Sequence, residues 1–293
     1  MASLKEVRNR IVSVNSTQQI TKAMKMVSAA KLRRATDAIV QMRPYAKKLS
    51  EMIATVSGRT DAGKENPFTE IREIKNVLIL VVTSDRGLCG AFNANIGKAA
   101  ISLIQEKYAD LHRAGHVEVL TLGKKGGEYL GRRGYKINAD HQDIFTKLNF
   151  TEARQIGEEV LNGFAEKQYD VVEIIFNEFK NVATQIIRTE QLLPLQDSGA
   201  SDSKASAVDY MFEPSEAEII NELIPKAIKL SIFRALLESN ASEHGARMTA
   251  MDKATDNAGE LLKALKLEYN RSRQAAITNE ILEIVGGAEA LSA

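Results

Sequence analysis

The stretch KLRRATDAIVQMRPYAKKLSEMIATV, residues 31–56, decides the fold class. Apolar residues recur in it at alternating intervals of three and four. This 3.5-residue repeat is typical of a helix that pairs with a second helix along a narrow seam. Because Pro44 lies inside the pattern, we expect a kink or a break there. The seam positions are Leu32, Ala35, Ile39, Met42, Ala46, Leu49, Ile53 and Val56.

The same rhythm extends towards the start of the chain, so one N-terminal helix is predicted over residues 1–58. Gly58 and the polar run after it end the pattern. Between residues 15 and 31 the apolar positions change phase, which predicts local unwinding of a supercoil near 15–19 and near 31. The first phase is Leu4, Val7, Ile11 and Val14, and the shifted phase is Ile20, Ala23, Val27 and Ala30.

A second helical arm is predicted over residues 215–293. We expect Pro225 to separate a short helix from a long one, because proline suits a first helical turn better than an interior. We expect Gly286 and Gly287 to end the long helix. The seam of this arm is Ala241, His244, Met248, Met251, Thr255, Ala258, Leu262, Leu265 and Tyr269.

The middle of the chain, residues 75–196, reads as an inserted α/β domain. Continuous aliphatic runs bounded by turn residues are typical of buried strands, and helical stretches separate the first three of them. The alternation favours a mostly parallel, Rossmann-like sheet whose last two strands form a hairpin. The strands are predicted at 76–82, 117–123, 169–179 and 183–195, and the helices at 93–108, 124–132 and 151–167.

These segments predict a protein of the α+α/β class. In it the two arms form a long antiparallel coiled coil that carries the inserted domain. Such pairing within one chain requires the chain to reverse between the arms. Two alternatives stay open from periodicity alone: each arm could pack on a larger bundle, or it could pair with another copy. The small polar residues of 197–208 predict a mobile loop within the connecting segment 197–214.

Charge is distributed unevenly along the 293 residues, although the net charge is only +1. Residues 1–57 carry eleven basic and three acidic side chains. Such an arm is expected to meet an acidic partner. The cluster around Lys22 and Lys25 could bind nucleic acid or the carboxylates of a protein, but it lacks the interleaved aromatic residues of a nucleic-acid site. The first twenty residues have no apolar secretory core, and a soluble protein is expected.

Signals for catalysis are weak throughout the sequence. The 84–93 loop, SDRGLCGAFN, follows a strand but contains neither a dinucleotide fingerprint nor a Walker motif. Cys89 could be a nucleophile, although a structural role is favoured because no histidine lies near it in sequence. No metal-ligand spacing occurs, so we expect neither a metal nor a cofactor.

Three segments resemble the gamma subunit family of F-type ATP synthases, of the bacterial type. They are IVSVNSTQQITKAMKMVSAAKLRRA (11–35), LVVTSDRGLCGAFN (80–93) and the C-terminal segment 242–291, whose end, ITNEILEIVGGAEAL (277–291), resembles the family's signature. The resemblance implies a central rotary shaft without catalytic residues. The implied partners are three alpha and three beta subunits, the epsilon subunit and the membrane c ring. It also implies a peripheral position on the cytoplasmic face of the bacterial plasma membrane.

The resemblance also suggests contact residues. Contacts with a beta subunit are expected at one group on each arm, with the two groups opposite one another. An apolar tip is expected to run in a hydrophobic bearing, and a foot is expected near the c ring and epsilon. The beta-contact groups are Lys22, Met24 and Lys25, and Arg273, Gln274 and Thr278; the tip is Ile281, Leu282 and Val285; the foot is Tyr210 and Glu213.

Overall fold

The structure is a computed structural model that describes residues 4–57, 66–195 and 216–292. The segment 197–214, with the expected mobile loop and the foot residues Tyr210 and Glu213, lies outside these ranges. The chain divides into two compact units. The terminal unit comprises residues 1–28 and 248–293, and the central unit comprises residues 29–247. Each unit is described separately.

Two long helices, α1 (Leu4–Ser57) and α6 (Glu216–Ser292), form the arms. Helix α1 continues through Pro44 without a break. The expected separation at Pro225 is wrong, since α6 is continuous there. Ile224 and Ile228, on either side of Pro225, are buried in an apolar core. Their burial offsets the loss of the backbone hydrogen bond that proline cannot donate. Gly286 and Gly287 are helical too, so the predicted end is also wrong; glycine costs a helix only about 1 kcal/mol.

The arms pair antiparallel within the terminal unit. Lys25 of α1 forms an ion pair with Asp252 of α6. The hydroxyls of Thr21 and Thr255 lie 2.8 Å apart. The residue number rises from Thr21 to Lys25 along α1, whereas that of the partner falls from Thr255 to Asp252 along α6, so the two helices run in opposite directions. In this unit the predicted pairing within one chain is confirmed.

The predicted change of phase in α1 is wrong. Ile20 and Val27 are 59% and 57% exposed, whereas Thr21 and Ser28 are buried. Hydrogen bonds and an ion pair across the seam compensate the polar side chains there, so the helix keeps its register without an apolar residue at each position. The buried or half-buried positions of α1 keep the three–four spacing at Val7, Ile11, Val14, Gln18, Thr21, Lys25, Ser28, Leu32, Ala35, Ile39 and Met42.

The central unit contains one five-stranded sheet with the order β3-β2-β1-β4-β5. The first four strands in this order are parallel, and β5 pairs antiparallel with β4, which confirms the predicted hairpin. The short strand β3 (Ile137–Asn138) and the short helix α3 (Ala109–Arg113) were not predicted. The strands are β1 (Val77–Val82), β2 (Val117–Leu122), β3 (Ile137–Asn138), β4 (Val171–Phe179) and β5 (Gln185–Leu193).

Helices cover both faces of this sheet. On one face Leu78, Leu80 and Val82 of β1 join an apolar core with α5 (Phe150–Ala165) and with residues 224–236 of α6. On the other face Val77, Ile79 and Val81 pack in a core with α2 and α4. This alternation is what a strand buried on both sides requires. The connecting helices are α2 (Phe92–Lys107), α3 (Ala109–Arg113), α4 (Lys124–Gly131) and α5 (Phe150–Ala165).

Helix α6 contributes to the core of the central unit before it enters the terminal unit. Ile224, Ile228 and Ile232 are at most 2% exposed and pack with the sheet and α5. The boundaries between the two compact units therefore fall inside the long helices, after residue 28 of α1 and after residue 247 of α6. The domain boundaries predicted from sequence lie instead at the ends of the helices. None of the described helices is long and apolar enough to cross a membrane.

Candidate functional site

The basic group on α1 lies on the terminal unit's helix pair. The side chain of Lys22 is exposed, and Met24 is half-buried. Lys25 differs from Lys22 because its ammonium group pairs with Asp252, with both side chains about half exposed (41% and 49%). Of these two lysines, Lys22 is therefore the better placed to meet an external carboxylate.

The second predicted contact group lies elsewhere on α6. Arg273, Gln274 and Thr278 are exposed, and the Thr278 hydroxyl donates to the Gln274 carbonyl oxygen at 2.9 Å. Arg273 follows Asp252 by 21 residues, which is roughly 30 Å along a helix. The expectation that this group lies opposite Lys22 and Lys25 is therefore wrong, because the antiparallel register places Asp252 there instead. The structure keeps the two groups apart.

The predicted apolar tip is exposed. The last buried residue of α6 among those described is Leu265. Beyond it Ile281, Leu282 and Val285 are 55%, 63% and 49% exposed, and Ile277 and Ile284 are exposed as well. Large apolar side chains grouped on one helix end are typical of a surface that another protein covers.

In the central unit, Arg247 of α6 holds the 84–93 loop. Its guanidinium donates to the carbonyl oxygens of Arg86 at 3.0 Å and Gly87 at 3.1 Å. Leu88 and Gly90 have positive φ values of 64° and 62°, which lets the loop turn back after these carbonyls. A phosphate cradle needs converging N–H donors, whereas here carbonyl oxygens converge on a cation. The glycines thus shape an anchor for α6.

The groups next to this anchor are buried. Glu243 forms an ion pair with Arg247 one turn along α6, yet burial raises the pKa of its carboxyl group. Burial, aided by the charges of Arg247 and Lys31, lowers the pKa of His244 to about 4. His244 is therefore neutral at neutral pH and is one of the buried seam residues, as its spacing predicts.

Cys89 lies inside the same loop. It is 2% exposed, and burial raises the pKa of its thiol. The Asn93 amide lies 3.3 Å from the sulfur, and the Ser84 hydroxyl lies 3.8 Å from it. A protonated, enclosed thiol is a poor nucleophile. This geometry supports the structural interpretation of Cys89.

The crevice where α/β sheets bind ligands is occupied by α6. The strand order reverses between β1 and β4, and ligands of this fold class bind at the carboxyl ends of such strands. At the end of β4, the Phe179 N–H donates to Glu238 of α6 at 2.9 Å, and Arg247 occupies the loop after β1. Within the described ranges no cluster of three or more His, Cys, Asp or Glu could hold a metal ion.

Sequence reasoning missed three residues that organise these surfaces. Thr255 is predicted only as a seam residue, and no role is predicted for Glu238 or Arg247. A useful signal was available for Glu238, since it falls inside the apolar run of α6 where a charge requires a buried partner.

Comparison with known proteins places the chain in a family. A family model described as ATP synthase matches residues 3–291. The ATP synthase gamma chain of Cytophaga hutchinsonii is 62% identical over the whole of both chains. That of Chlorobium phaeobacteroides is 51% identical over 99% of each.

Solved structures agree in fold. A chain of the central stalk and c-ring structure of Tetrahymena thermophila mitochondrial ATP synthase has a TM-score of 0.58 at 28% identity, covering 80% of this chain and 99% of that one. A chain from Euglena gracilis mitochondrial ATP synthase has a TM-score of 0.68 at 22% identity, covering 98% and 94%. The chain described here belongs to the ATP synthase gamma chain family.

Proposed function

We propose that this chain is the central rotary shaft of an F-type ATP synthase and carries no catalytic residue itself. It couples ion-driven rotation of the c ring to cycling of the nucleotide sites in a hexamer of alpha and beta subunits. The result is ATP synthesis coupled to proton transport. Its place is peripheral, on the cytoplasmic face of the bacterial plasma membrane, where it also binds epsilon.

The observation that carries this proposal is the antiparallel helix pair in a chain of full-length gamma similarity. Two helices joined across their seam resist twisting better than one helix does. The pair is also asymmetric, because α1 is rich in Lys and Arg while α6 carries mixed charges. A single asymmetric shaft can present a different surface to each of three equivalent catalytic subunits.

Three surfaces are assigned to partners under this proposal. Lys22, Met24 and Lys25, together with Arg273, Gln274 and Thr278, contact beta subunits as two groups at different heights on the pair. The exposed tip residues Ile281, Leu282 and Val285 run in an apolar bearing of the hexamer. Tyr210 and Glu213 stay assigned to the foot near the c ring and epsilon.

Single-molecule rotation tests the proposal. The variant Ala114→Cys places a reactive thiol at an exposed position after α3, while the buried Cys89 stays unreactive. A bead attached there should rotate in one direction when ATP is supplied to an immobilised complex with the alpha and beta subunits. Failure of the chain to co-purify with those subunits, or an immobile bead on an ATP-hydrolysing complex, would contradict the proposal.

A nucleic-acid scaffold is the competing interpretation of the basic α1. It predicts steeply salt-dependent DNA binding by the purified chain, with no affinity for the hexamer. The same preparation can be assayed for both.

A further inference from the structure

Three elements of the central unit, α6, β4 and α1, meet at the carboxylate of Glu238. Glu238 of α6 is 4% exposed. One carboxylate oxygen, Oε2, accepts the backbone N–H of Phe179, the last residue of β4, at 2.9 Å. The other, Oε1, accepts a guanidinium N–H of Arg43 in α1 at 3.2 Å. The two oxygens thus serve different elements.

We propose that Glu238 is a positioning residue that makes the sheet turn together with the adjoining parts of both long helices. The inference rests on the proposed rotary function and extends it, because a shaft must transfer torque between its parts. The hydrophobic effect that drives apolar contacts is non-directional. Hydrogen bonds to an ionised group are directional and stronger than neutral ones, so they hold a register under load.

Neighbouring residues of α6 strengthen its attachment to the sheet. Arg234 forms an ion pair with Glu190 of β5. The Ser242 hydroxyl donates to the carbonyl oxygen of Asn177 in β4 at 3.1 Å. Residues 234, 238 and 242 are four apart and lie on one face of the helix. Glu238, at the centre of this row, additionally engages α1.

The pair of Arg43 and Glu238 is asymmetric in exposure, which makes it testable. The side chain of Glu238 is 5% exposed, whereas that of Arg43 is 54% exposed. Arg43→Met therefore removes the α1 link with little change to the core. Glu238→Gln keeps an oxygen for the Phe179 N–H but cannot form the ion pair. Arg43→Lys retains a cation and serves as the conservative rescue.

The experiment measures the angular variance of a bead on Ala114→Cys in the stalled, fully assembled complex. Variance is inversely related to torsional stiffness. We expect Glu238→Gln to raise the variance about twofold, since a directional charged link is lost. Arg43→Met should raise the variance too, whereas Arg43→Lys should keep it near the wild-type value. The double variant Arg43→Met with Glu238→Gln should show no larger variance than Glu238→Gln alone.

The matched control is Glu222→Gln, which breaks an exposed ion pair with Lys226 on the same helix and should leave the variance unchanged. Wild-type variance in an assembled Glu238→Gln complex would overturn the inference, as would additive softening in the double variant. If Glu238→Gln does not assemble, wild-type variance in Arg43→Met overturns it equally. A wild-type complex that never rotates would instead reject the rotary function.

Discussion

Thr21 and Thr255 share a hydrogen bond across the helix pair of the terminal unit, with their hydroxyl oxygens 2.8 Å apart. One of the two hydroxyls donates across the seam, and the other can donate to a carbonyl oxygen of its own helix, which is that of Gln18 for Thr21 (3.0 Å) or that of Met251 for Thr255 (2.7 Å). The amide of Gln18 donates to the Thr255 carbonyl oxygen at 3.3 Å and completes the cluster. A polar centre of this kind specifies one register of two helices, because a shifted register would leave its groups unpaired.

Replacing either threonine by valine should therefore destabilise the chain by about 1 kcal/mol, because the remaining hydroxyl loses its partner across the seam. Replacing both should cost less than twice that amount, since two valines pack on each other. Chemical denaturation of the four chains of this double-mutant cycle measures the difference. Strictly additive losses would show that the two hydroxyls are not coupled.

Lys22 and Lys25 should behave differently when their charge is reversed. Lys25→Glu places a carboxylate beside Asp252 and should lower stability by up to about 1 kcal/mol, because the pair is half exposed. Lys22→Glu should leave stability unchanged and impair coupling of rotation to ATP hydrolysis, more strongly at low salt. The combination of Lys25→Glu with Asp252→Lys should recover stability. Coupling unaffected by Lys22→Glu at every ionic strength would reject the proposed contact.

Removal of residues 279–293 should leave the melting temperature of the isolated chain nearly unchanged. The described side chains from 279 to 288 are exposed, so little packing is lost. Torque or coupling of the assembled complex should fall because the apolar tip is missing. A rotation assay under viscous load measures this. Undiminished torque and coupling would count against the bearing assignment.

The stability of the chain should fall in mild acid because of His244. Its pKa is about 4 in the folded chain and 6.5 in the reference state, so the unfolded chain binds the proton first. The stability contributed by the neutral imidazole is complete above pH 6.5 and is lost as the pH falls towards 4. Between pH 7 and pH 5 the loss should be about 2 kcal/mol.

His244→Gln should remove this part of the pH dependence, since glutamine does not titrate in that range. Glu243 acts in the opposite direction, because its raised pKa favours the fold as the carboxyl group becomes protonated. Denaturation of both chains at pH 7 and pH 5 isolates the His244 contribution. Equal slopes with and without His244 would contradict the assignment.

Most elements of the fold were predictable from the sequence. The four longer strands and the helices between them were found within a few residues, because aliphatic runs and three–four spacing are local patterns. The two-residue β3 was missed because so short a segment has no period of its own. Breaks at Pro225 and at Gly286 were predicted from local helix propensity. The cost of a helical proline or glycine is about 3 or about 1 kcal/mol, and burial or the continuity of the helix outweighs it.

The contact surfaces were only partly predictable. The exposure of Ile281 and Leu282 followed from apolar residues spread around a helix end. The position of Arg273 relative to Lys25 could not be predicted, because the register of a helix pair depends on contacts between both helices and not on the pattern of either one. The seam positions predicted at Ile20 and Val27 are wrong for the same reason: Thr21 is buried there and bonds to Thr255 of α6, and Ser28 is buried with its hydroxyl bonded to the Met24 carbonyl oxygen of its own helix.

By itself the sequence determined that this chain has two long helical arms, an α/β insert and no catalytic motif. Periodicity and motifs are patterns of residues that lie near one another in the chain, so they can be recognised without the structure. Only the tertiary structure decided which charges are shared within the chain. Lys25 is paired with Asp252, and Glu238 is buried between β4 and Arg43 of α1. The residues of these pairs lie 227, 195 and 59 positions apart in the sequence, and no local pattern shows that they are close in space.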